Sequence, residues 1–181
     1  MCHSLAAAAL ARFSARRLRM AMVSSAMPTK ASRSARAEAP EVDLPAPGPR
    51  DACPVCGMFP SKDPDWVATI LWDDGLAVHF DGAKDFFKYL ADLEKYAPGK
   101  TRDQIVGMGV TEYYGLVRID AELALFVIGS DVYGPMGHEL VPLATEPDAV
   151  DYMRDHAGKR LMRFDEVTAD TLSALDKGQF E

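Results

Sequence analysis

The chain has 181 residues, 48% of them hydrophobic, and a formal net charge of −7. That is room for one domain, or two small halves sharing a core, and no apolar run of about 18 residues is available to span a bilayer. The first 50 residues hold eight Lys or Arg against Glu38, Glu41 and Asp43, a balance of +5 that leaves −12 on residues 51–181, and so acidic a body excludes nucleic acid as a partner because phosphate contacts require a basic face.

Residues 1–50 read as a leader and linker. Ser4 to Phe13 is Ala-rich and apolar, Arg16, Arg17 and Arg19 follow, and Met20 to Met27 is weakly apolar, an order that matches a secretory or twin-arginine signal only loosely. A cleaved export signal, a misassigned start and plain disorder all stay open. Ala37 to Arg50 (AEAPEVDLPAPGPR) is dense in Pro and small residues, which disfavours helix and core alike and predicts an extended linker.

The body opens on Cys53-Pro54-Val55-Cys56-Gly57-Met58. Trp66 to Trp72 is β-branched and aromatic, Asp73-Asp74-Gly75 supplies a turn, and Leu76 to Phe80 returns, so a hairpin is expected. Phe86, Phe87, Leu90 and Leu93 recur at helical spacing over Ala83 to Leu93, with Asp81 placed to cap and Pro98-Gly99 closing. Short strands are expected over Ile105 to Val110, Leu116 to Ile119, Ala124 to Ile128 and Glu139 to Leu143, with a turn-rich loop Tyr133-Gly134-Pro135-Met136-Gly137-His138 before the last. A helix from about Pro147 to His156, a strand Arg160 to Phe164 and a helix Val167 to Leu175 complete the chain.

Val78, Phe80, Phe86 and Tyr89 lie 63 positions before Val141, Leu143, Ala149 and Tyr152, so a strand, a turn and an amphipathic helix recur in register. The expected fold is α+β, with two related β-β-α or β-α-β halves packed side by side over residues 51–175, divided at about 51–98 and 99–168.

Cys53 and Cys56 put two thiols on one side of a tight turn, and Met58 adds a thioether two residues on. Soft sulfur donors of this kind select Cu(I), which accepts low coordination. Met136 and His138 are further candidate ligands, held in a loop by Gly134, Pro135 and Gly137; Met108 is a weaker one, and Met153 and Met162 read as core. Two alternatives stand beside copper. A structural zinc site needs about four donors and would have to recruit His79, His138 or His156. A thiol-disulfide site needs a helix N-terminus at the cysteines, whereas a Pro-rich segment precedes them and Phe59-Pro60 follows. His79 alternates with Val78 and Phe80 and reads as a surface or structural residue. No nucleophile–base pair, phosphate-binding Gly loop or metalloprotease motif is present, so an enzyme is not expected.

On these residues the chain resembles the NosL family, copper-binding accessory proteins of nitrous oxide reductase assembly. The resemblance covers about residues 51–168 and rests on CPVCGM at 53–58, FDGAKDFFKYL at 80–90, FVIGSDVYGPMGHELVPL at 126–143 and HAGKRLMRFDE at 156–166. It implies two related β-α-β subdomains similar to the organomercurial lyase scaffold. It also implies an extracytoplasmic protein, commonly a lipoprotein, that binds Cu(I) and passes it toward nitrous oxide reductase with a membrane transporter complex. The family's Cys-x-Met element falls on Cys56 and Met58 and its Gly-Met-Gly loop on Met136, while Cys53 matches only some members. No lipobox is present, Cys2 lying at the start with no apolar segment before it, so membrane association through the N-terminus is an expectation carried by the family alone.

Overall fold

A computed structural model describes residues 38–180, and the readings of the leader before Glu38 lie outside the described residues. Strand β1 (Ala68–Trp72) turns through Asp73-Asp74-Gly75 into β2 (Ala77–Phe80). Gly75 takes φ +83°, a left-handed conformation that glycine adopts without steric cost. Helix α1 (Ala83–Ala91) and the single-turn α2 (Leu93–Tyr96) follow, and the chain then returns as β3 (Ile105–Thr111) on the other side of β1, with β4 (Arg118–Asp120) beyond it. The sheet order is β2-β1-β3-β4, all antiparallel.

The second half repeats the plan. Strand β5 (Leu125–Ile128) is followed by a small hairpin, β6 (Tyr133–Gly134) and β7 (Gly137–His138). Then come β8 (Val141–Leu143), helix α3 (Glu146–Asp155) and β9 (Arg160–Arg163), in an antiparallel sheet ordered β8-β5-β9. Each half is therefore β-β-α-β, with its first strand central and the strand before the helix at one side. Helix α4 (Ala169–Asp176) closes the described chain, and no described helix is long and apolar enough to cross a membrane.

Helix α1 is the hub, because seven of its nine residues are buried. Phe86 and Tyr89 meet Phe80 of the first sheet edge-to-face at 5.8 and 5.0 Å, and Phe87 meets Phe126 of β5 at 5.0 Å. Alternation along β5 sends Phe126 and Ile128 into this core and Leu125 and Val127 into a second cluster with Val141, Leu143, Ala149 and Tyr152. Each such aromatic, once fully buried, contributes on the order of 2–3 kcal/mol.

Three expectations are corrected. The division near residue 98 falls in the wrong place: β3 and β4, residues 105–120, belong to the first sheet, because the chain after Pro98-Gly99 folds back beside β1 instead of starting a new half. The stretch Glu139 to Leu143 is a strand only over its last three residues. The Pro-rich linker is a strap on the folded body. Ala39 is 2% exposed and its N–H donates to Ala144 O at 3.0 Å, Val42 N–H donates to Arg118 O at 2.9 Å, and Asp120 N–H donates to Pro40 O at 2.9 Å. Arg118 Nη1 also donates to Pro45 O at 2.9 Å, and Leu44 lies on Gly107 and Gly109, where any Cβ would come within 3.0 and 2.7 Å of it. Proline blocks a regular ladder, yet the few remaining N–H groups suffice to hold an extended segment down.

Candidate metal centre

The Cys53–Met58 turn is closed by its own backbone. Cys53 N–H donates to Met58 O at 2.7 Å and Gly57 N–H donates to Cys53 O at 2.8 Å, with Gly57 in the left-handed region at φ +81°. This draws Cys53 inward to 1% exposure and leaves Cys56 half-buried. No helix starts at either cysteine, whereas a thiol-disulfide motif of the thioredoxin kind places its cysteines in the first turn of their own helix.

The turn faces the N-terminus of α1. Cys56 Sγ donates to Asp81 Oδ1 at 3.2 Å, and Cys53 Sγ donates to Asp85 Oδ2 at 3.5 Å. One potential ligand atom from each of Cys53, Cys56, Asp81 and Asp85 lies within 4.8 Å of all the others, an arrangement that could hold a metal ion. Burial pushes the Cys53 thiol up to about 11. Burial raises the Cys56 thiol too, and its hydrogen bonds to Asp85 and Asp81 add to the rise. Both sulfurs are thus protonated at neutral pH without a metal, and binding an ion must release those protons.

Asp81 does not cap α1 as the sequence suggests. The N-cap is Gly82, which makes no side-chain cap, and the helix N-terminus is served from the other half: Glu139 Oε1 accepts from Lys84 N–H and, at 3.0 Å, from Leu140 N–H. A Cβ on Gly82 would lie within 2.9 Å of the Glu139 carboxyl carbon, which explains the glycine. Burial raises the Glu139 carboxyl to about 8.

The same helix end anchors the β6–β7 hairpin. Lys84 is 3% exposed, and its Nζ donates to Met136 O at 2.9 Å and pairs with Asp176 Oδ1 of α4 at 3.2 Å. Met136 itself is 42% exposed. Residues 81–85 therefore carry contacts to the cysteine turn on one side and to the Met136 turn on the other. Met58 is half-buried at the end of its turn.

Among the described residues, no histidine belongs to the cysteine–aspartate cluster. His138 is not among the clustered donors; its ring packs on Tyr133 and Phe180, each at 4.9 Å. His79 is structural, with Nδ1 2.9 Å from Thr69 Oγ1 and burial lowering its pKa, and His156 Nδ1 sits 3.2 Å from Asp131. Met162 is core at 1% exposure. Sequence reasoning missed both aspartates as site residues: Asp85 lies in the first turn of α1 while Asp81 precedes the extended N-cap Gly82 and is outside the helix, so helical spacing does not flag them as a pair.

Two thiols and two carboxylates converge from a closed turn and a helix N-terminus on an α+β fold, a donor set that could hold a metal ion. The family model NosL matches residues 46–172, and the chain belongs to the NosL family. It is similar to the crystal structure of the copper chaperone NosL from Shewanella denitrificans, with 26% identity over 72% of this chain and 99% of that one and a TM-score of 0.58. No curated protein matches the chain.

Proposed function

We propose that this protein is a copper chaperone that binds Cu(I) and hands it on by ligand exchange, serving nitrous oxide reductase and its membrane assembly complex outside the cytoplasm. The carrying observation is the convergence of Cys53 and Cys56 in one pocket with Cys56 left half-buried. The donor set fits the cargo: two thiolates suit a soft monovalent ion, and the thioethers of Met58 and Met136 are of the right chemical class to complete it. Partial exposure serves transfer, since an acceptor thiol or thioether must reach the ion before the donor lets go. Family membership and the solved relative support the copper reading; the reductase, its transporter complex and an extracytoplasmic location are inferred from the family alone. In this reading the protein carries the ion and performs no catalysis.

The test is an anaerobic competition titration of the reduced protein with Cu(I) against a chromophoric chelator, run beside Zn(II). About one tightly held Cu(I) per chain is expected, with zinc the weaker ion. Cu(I) binding no tighter than to the chelator overturns the chaperone reading, and loss of folding on chelation would replace it with a structural zinc role.

A further inference from the structure

A pocket of about 410 Å³ shares no lining residue with the cysteine–aspartate cluster. Its walls come from the strap, from the turn between β3 and β4 and from the start of α3, and they include Glu38, Glu41, Glu112, Asp148 and the ring of Tyr114. No Lys or Arg lines it, and among the described residues none of these four acids forms an ion pair. Glu112 differs from the other three. It is 4% exposed, its Oε2 accepts from the Gly115 N–H, and its Oε1 is buried with no hydrogen-bond partner among the described residues. A buried carboxylate oxygen with nothing to accept is costly and rarely left so. The surroundings are negative as well: partial burial, and after it the charges of Asp155 and Asp151, raise the pKa of the Tyr114 hydroxyl.

We propose that this pocket binds an organic cation carrying a guanidinium group, with Glu112 as the buried acceptor, the Tyr114 ring as the stacking face and Glu38, Glu41 and Asp148 as the surrounding charge. Among the described residues these carboxylates do not converge within 4.8 Å as the cysteine–aspartate cluster does, a spread that suits a larger cation over a bare metal ion. The volume is that of a small-molecule site. A guanidinium meets such walls better than an ammonium: it is planar and weakly hydrated, its five donors reach acceptors in several directions, and it stacks on an aromatic face. Tyr114, 48% exposed, leaves its ring open for that contact. Free guanidino compounds and the arginine side chains of proteins both bear this group. The site stands or falls apart from the copper reading, because it uses none of the copper donors.

Two probes supply the test: agmatine, a free guanidino amine, and an acetylated, amidated Gly-Arg-Gly peptide, each titrated into the reduced full chain and followed by backbone amide NMR shifts. The same peptide with citrulline in place of arginine is the uncharged control. Saturating shifts confined to the strap, the β3–β4 turn and the start of α3 are expected from the guanidinium probes and none from the control. Glu112→Gln keeps an oxygen for the Gly115 N–H and is expected to lose about tenfold or more in affinity, the scale of a hydrogen bond to a charged group, with Cu(I) affinity unchanged. Tyr114→Ala and Glu41→Gln alter exposed residues, fold independently of the buried carboxylate, and should each weaken binding about threefold. A preference of about tenfold for the peptide supports an arginine of a protein partner as the occupant, and the reverse preference supports a free guanidino compound. Absence of saturating shifts overturns the proposal, as do shifts scattered over the acidic body, a citrulline peptide that binds like the arginine one, or a folded Glu112→Gln protein that holds both probes like the wild type.

Discussion

The two β-β-α-β halves build the same strand-to-helix junction and put it to different uses. Sixty-three positions separate Asp81, Gly82, Lys84 and Asp85 from Ala144, Thr145, Pro147 and Asp148. In the second half the junction is self-sufficient: Thr145 Oγ1 accepts from Asp148 N–H at 3.2 Å and Pro147 lies in the first turn, the arrangement that ordinarily starts a helix. In the first half the cap is an uncapping glycine, Glu139 is borrowed from across the molecule, and the two aspartates turn toward thiols instead of toward backbone N–H groups. A junction that does not spend its acidic residues on capping its own helix leaves them free to meet the two thiols.

That contrast can be broken in several places. The largest effect should come from the helix buried on two sides: Phe87→Ala, which removes the ring lying 5.0 Å from Phe126 and 5.1 Å from Phe164, is expected to cost about 3–5 kcal/mol in denaturant unfolding. Tyr152→Phe on α3, which loses only the 3.0 Å donation to Ser130, should cost about 1 kcal/mol. Equal losses would contradict the hub role of α1.

Gly82→Ala and Thr145→Ala test the junctions themselves. The first forces a methyl group against the Glu139 carboxylate and is expected to destabilise by about 1–3 kcal/mol; the second removes a cap and should cost about 1 kcal/mol. Urea midpoints that rank them in the opposite order would show that Glu139 yields easily.

Glu139 also gives a pH signature. Burial raises its folded-state pKa from 4.5 to about 8, so between those values the native state holds a proton that the unfolded state has released. Its contribution to stability is present below about pH 4.5 and is lost as pH rises through about 8. Comparing midpoints at mildly acidic and mildly alkaline pH, Glu139→Gln should fall less steeply with pH than the wild type; parallel curves would place the carboxyl's pKa near its ordinary value.

Much of this was legible in the chain. Period-2 and helical patterning located the strands and helices, and the 63-residue offset exposed the repeat, because local hydrophobic spacing records which face meets the core. What the patterning does not record is pairing between distant segments. β3 was assigned to the wrong half since nothing local says which sheet edge a strand joins, and the strap of residues 38–50 read as linker because its hold comes from partners at 118, 120 and 144. Cys53 and Cys56 stood out by spacing and do converge, whereas Asp81 read as a cap because an acid before a helix usually is one. Only the glycine behind it, with Glu139 in the way, turns that reading over.

Cys56→Ser tests the proposed copper pocket at the first junction. Serine keeps the size and removes the soft donor, and Cys56 is half-buried on a turn closed by backbone bonds of Cys53, Gly57 and Met58, so the fold should persist by circular dichroism. A fall in Cu(I) affinity exceeding the roughly 10–100-fold loss of an outer-shell partner is expected in an anaerobic competition titration, since a soft donor to the ion itself is removed. A correctly folded Cys56→Ser protein that binds Cu(I) as tightly as the wild type would contradict it.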